Sequence, residues 1–115
     1  MTTPLPNKIL QFPLPQRRHF LLTNDDHEFL SDIISPCHGR RLADFMAGAT
    51  VVPDGRRISG TDDDFHHLIV AVGIEIHGFR KIEEERAGKP LRSPKRGGTV
   101  ARLLAINDQL EELLS

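Results

Sequence analysis

Apolar residues recur at steps of three and four through the middle of the chain: Phe65, Leu68, Ile69, Val72, Ile76 and Phe79. That spacing draws one stripe along a helix. Both ends of the stripe carry matching chemistry. Thr61 supplies a capping hydroxyl, and Asp62, Asp63 and Asp64 complement the positive end of a helix dipole. Arg80, Lys81 and Arg86 lie toward the far end, and Gly88 with Pro90 supplies a stop. The pattern predicts one helix over 62–87, roughly 39 Å long. Its centre is apolar all round, which predicts burial on most sides, with Gly73 and Gly78 permitting the close approach of a neighbour.

The flanking segments predict shorter elements. A helix starts near Thr23 or Asn24, carries Phe29, Leu30, Ile33 and Ile34 on one face, and ends at Pro36. A second covers about 40–47, with Leu42, Phe45 and Met46 inward and Gly48 as its stop. Val51-Val52 before Pro53-Asp54-Gly55 predicts a short hairpin or turn near 50–58. Thr99 is expected to cap a last helix, about 100–114, in which Leu103, Ile106, Leu110 and Leu113 form a coiled-coil-like seam.

The expected class is therefore mostly α: a small domain of about four helices around a long central helix. Residues 1–22 read as an extended arm, since Pro4, Pro6, Pro13 and Pro15 forbid a helix there. The arm's Leu5, Ile9, Leu10, Phe12 and Leu14 suit contact with the body or with a second copy. Residues 23–115 form a single helical domain. An α+β alternative places 50–58 and 68–77 in a sheet. Leu68, Val70, Val72, Ile74 and Ile76 also alternate strictly with their neighbours, and Gly73 and Gly78 each cost a helix interior about 1 kcal/mol.

Composition narrows the function. A net charge of −1 gives no global attraction to nucleic acid or acidic lipid. The charge is uneven, however: Arg80 to Arg102 holds eight basic and three acidic residues. Without Trp or Tyr, a stacking platform for single-stranded nucleic acid is disfavoured. The lone Cys37 excludes an internal disulfide and fits a cytoplasmic setting. No apolar run approaches the ~20 residues of a membrane span.

Candidate chemistry is sparse. The basic loop within 86–99 carries Lys89, Arg92, Lys95 and Arg96 and ends in Gly97-Gly98-Thr99 at a helix start, where a phosphate or nucleic-acid backbone would be attracted. Its spacing is not that of a P-loop. The pairs Arg17-Arg18, Arg40-Arg41 and Arg56-Arg57 would extend this footprint if they converged on it. Cys37-His38 lacks the Arg that a loop phosphatase needs, position 43 being Ala. His66 and His77 share a helix face but stand roughly 16 Å apart, too far for one metal. Glu75, inside an apolar run, needs a cationic partner from another helix or a wet side.

No catalytic residue, metal or cofactor is expected. The primary expectation is a non-enzymatic, regulatory protein acting through contacts with another protein or a second copy, as a homodimer built on Leu103, Ile106, Leu110 and Leu113. The alternative is a module binding DNA, another nucleic acid or phosphate through Lys89, Arg92, Lys95 and Arg96.

Overall fold

A computed structural model of the protein describes residues 16–115. The apolar residues of the proline-containing segment, Leu5 to Leu14, lie outside the described residues. In chain order the elements are β1 (Arg17–Leu22), α1 (Asn24–Ile34), α2 (Arg40–Ala47), β2 (Thr50–Val52), β3 (Gly55–Thr61), α3 (Asp62–Ala87) and α4 (Thr99–Leu114).

The mostly α expectation is corrected to α+β. The three strands form one antiparallel sheet in the order β1-β3-β2. A hairpin does turn at Pro53-Asp54, but β3 runs on to Thr61 and pairs along its other edge with β1, Phe20 opposite Ile58 and Arg17 opposite Thr61. Residues 17–22, read as part of an arm, are thus a strand. They alternate as strands do: Phe20 and Leu22 point into the core while Arg17, His19 and Leu21 face out. Residues 68–77 are helical, so the strand reading of that run fails as well.

Local chemistry explains the helix limits. Thr23 caps α1, its side chain accepting from the Asp26 amide at 3.1 Å. At α3 a capping box closes both ways: Thr61 Oγ1 accepts from the Asp64 amide (3.2 Å), and the Thr61 amide donates to Asp64 Oδ2 (2.9 Å). Gly88, left-handed at φ 72°, ends the helix as its amide turns back to the Glu85 carbonyl at 3.2 Å. The cap of α4 is Gly98, not Thr99, and it makes no side-chain cap bond.

Helices α1, α2, α3 and α4 cover one face of the sheet. The core centres on Phe65, fully buried, which meets the edges of Phe20 and Phe45 at ring distances of 6.4 and 5.2 Å. Leu22, Leu30, Ile34, Met46, Ile58 and Leu68 surround it. Only the first half of α3 enters this core, its buried residues being Phe65, Leu68, Ala71 and Val72. Ile76 and Phe79 beyond them pack only in part, and α4 is the element laid along α3. The expected burial of the middle of α3 on most sides therefore fails along its outward side. Val70 stays 62% and Ile74 57% exposed, and nothing stands within 4 Å of where a Cβ would sit on Gly73 or Gly78. Among the described residues no helix is long and apolar enough to cross a membrane.

Two glycines fix how closely the sheet is packed. Gly55 has φ +146°, and a Cβ there would lie 2.1 Å from the Leu22 carbonyl oxygen. A Cβ on Gly60 would lie 2.6 Å from Phe45. The substitution Gly55→Ala is expected to cost about 3 kcal/mol, combining backbone strain with a main-chain clash. Gly73→Ala, in open space on a helix, is expected to gain up to about 1 kcal/mol. Urea unfolding of the two variants checks both signs.

Candidate functional site

The most distinctive surface is the outward strip of α3. Asp63, His67, Val70, Ile74, His77 and Lys81 are all exposed and fall on one side of the helix. At its N-terminal end the strip is ordered by Arg41 of α2. The guanidinium donates to Asp63 Oδ2 at 2.8 Å, to Asp64 Oδ1 at 2.9 Å and to His67 Nε2 at 3.2 Å. His67 therefore accepts at Nε2 and donates from Nδ1 to the Asp63 carbonyl (2.9 Å), which fixes its tautomer. Arg41 holds the Asp63 and Asp64 carboxyls below the ordinary aspartate range, chiefly by these hydrogen bonds; at Asp64 the Thr61 amide adds to the effect.

The basic loop joins α3 to α4. Lys89, Arg92, Lys95 and Arg96 are exposed, and among the described residues none of the four forms an ion pair. The loop is held from beneath by two carboxylates of α3. The Leu91 amide donates to Glu84 Oε2 and the Lys95 amide to Glu83 Oε1, each at 3.0 Å. The other oxygen of Glu83 lies 3.2 Å from the position a Cβ of Gly98 would take. A carboxylate thus already stands where a phosphate would approach the start of α4. Phe79, Ile82, Arg86, Leu91 and Lys95 line a half-open cleft of about 800 Å³ beside it.

The arginine pairs do not converge on this loop. Arg18 binds Asp62 at 2.9 Å and Arg41 binds Asp63 and Asp64, all at the opposite end of α3. From Asp62 to Arg86 the helix rises about 36 Å. Arg40 lies 3.9 Å from Asp44, and Arg56 donates to Asn24 Oδ1 at 3.3 Å.

The leucine seam of α4 has a different destination from the one expected. Leu103, Ile106 and Leu110 are buried in the protein's own core, and Leu113 packs against it. The seam pairs α4 with α3, so Leu103, Ile106 and Leu110 are not available for self-association, and Leu113 is partly covered.

Glu75 does find a cation-forming partner, but it is His38 rather than Arg or Lys. His38 Nε2 donates to Glu75 Oε2 at 2.6 Å, the side chains 12% and 20% exposed. Their separation in sequence, 37 positions, hides the pair from any local reading. Cys37 beside it is exposed. Among the described residues no three His, Cys, Asp or Glu side chains gather as metal ligands would. The strip itself escaped the sequence reading. Its signal was a helix whose centre is apolar on every side, Val70 and Ile74 included. No protein family matches the sequence, and no curated protein and no solved structure is significantly similar to it.

The depressed Asp63 and Asp64 set a pH dependence. A carboxyl whose folded pKa is lowered contributes stability that is complete above the ordinary range, near 4, and is lost as pH falls through the folded value. Unfolding free energy is expected to decline below about pH 4, more steeply in the native protein than in Arg41→Ala. The two proteins should converge in strong acid. Urea titrations at stepped pH check this.

Proposed function

We propose that the protein is a non-enzymatic interaction module, regulatory in character, that self-associates through the outward strip of α3. The observation that carries the reading is the pair Val70 and Ile74, one helical turn apart and each more than half exposed. Isolated apolar residues on a surface are ordinary, but two in register beside the open Gly73 and Gly78 make a place for a second helix.

The magnitudes fit a reversible contact. Covering the exposed area of Val70 and Ile74 is worth roughly 2 kcal/mol per residue at about 25 cal/mol per Å². Four such residues in a pair of copies then yield about 8 kcal/mol, comparable with the 4–15 kcal/mol that association costs in lost freedom. At the lower end of that cost about 4 kcal/mol remains, which supports a weak contact of millimolar strength from the apolar pair alone. The exposed thiol of Cys37 supports a reducing, cytoplasmic setting.

Light scattering over a concentration series tests the reading. The mass is expected to rise from the 12.9 kDa monomer toward twice that value. Val70→Glu and Ile74→Glu should each return it to monomer with the fold intact by circular dichroism. Val51→Glu, at an apolar residue 70% exposed on the sheet, should leave the association unchanged. A monomer at every concentration, or loss of association with Val51→Glu alone, refutes it.

A further inference from the structure

We infer that the two copies meet with their α3 helices antiparallel, on a two-fold axis passing at the level of Val72; this rests on the self-association through α3 proposed above. The inference comes from the order of the strip. Asp63, His67, Val70, Ile74, His77 and Lys81 form one seam along the helix, with the two apolar residues at its centre and opposite charges at its ends. All six are exposed, so no other described residue fills the seam.

The seam reads as its own complement only when reversed. In an antiparallel pair centred at Val72, Val70 meets the second copy's Ile74, His67 meets its His77, and Asp63 meets its Lys81. Each layer occurs twice by symmetry. The apolar layers fall in the middle, and opposite charges close the contact at both ends. A parallel pair would set Asp63 against Asp63 and Lys81 against Lys81, a repulsion at each end, and would align the helix dipoles. Charge order therefore selects the antiparallel form.

One flank of the seam agrees. Beside the axis on that side, Gly73 of each copy faces the other. Nothing occupies the 4 Å around the missing Cβ of Gly73. A glycine on this flank lets two helices approach closely beside Val70 and Ile74. Asp63 remains 71% exposed at its side chain even while bound to Arg41, which leaves an oxygen face for a lysine.

Cysteine pairing tests the arrangement, in full-length protein with Cys37→Ser to remove the native thiol. Val70→Cys and Ile74→Cys are prepared separately, then mixed and oxidised. The mixture is expected to give a disulfide between the two variants, while neither variant alone links to itself. In the antiparallel pair the two copies of position 70 are offset by about 6 Å along the axis, which with the lateral gap exceeds the ~7 Å limit between Cα atoms. Lys81→Glu should weaken dimerisation severalfold, and Asp63→Lys in the same chain should restore it.

Self-linking of Val70→Cys, without the mixed product, would establish a parallel pair and overturn the inference while leaving self-association standing. A dimer by light scattering that links in neither way would place the contact elsewhere and overturn it too. A protein that is monomeric at all concentrations would remove both the arrangement and the reading beneath it.

Discussion

Thr61 belongs to two elements at once, and the geometry of the domain follows from that. It is the last residue of β3, paired across the sheet with Arg17, and it is also the cap of α3. No loop separates strand from helix. The reciprocal bonds between Thr61 and Asp64 fix the angle at which the helix leaves the sheet. That angle drops Phe65 between Phe20 and Phe45, and the close passage of Gly60 under Phe45 leaves little play. Arg18 and Arg41 then tie the first turn of the helix to β1 and α2. With the helix so aimed, one side must face the core and the opposite side must face away.

The limits of the long helix were legible in the sequence because both depend on neighbours in the chain: a threonine with its aspartates, and a glycine free to turn left-handed. The sheet was not. β1 and β3 together bury only Phe20, Leu22 and Ile58 as large apolar residues, and their pairing links residues about as far apart as Arg18 and Asp62, 44 positions. A six-residue alternation next to a run of prolines carries too little signal to announce a strand. The α4 seam was legible as a seam, but a stripe of leucines does not say whether its complement lies in the same chain. Here it does. The acid inside an apolar run, Glu75, was recognisable as needing a partner, while only the fold could bring His38 to it.

Two stripes on α3 thus have opposite fates. The stripe through Phe65, Leu68 and Val72 is consumed by the core. The one through Val70 and Ile74 is left over, although these two residues are equally apolar and lie in the same stretch of chain. A domain with four helices and three short strands has enough cover for one side of its longest helix, and the α4 seam is spent supplying it. The unspent surface and the spent seam are parts of one balance. This is why the leucines of α4 are taken up by the core while Val70 and Ile74 of α3 stay on the surface.

The basic loop shows a different economy of design. Glu83 and Glu84 grip it through the amides of Lys95 and Leu91, not through any side chain of the loop. Its path is therefore written in the main chain, and the cations it displays are ornaments on a fixed frame. Charges along that frame can be exchanged or reversed without bending the connection between the two helices it spans.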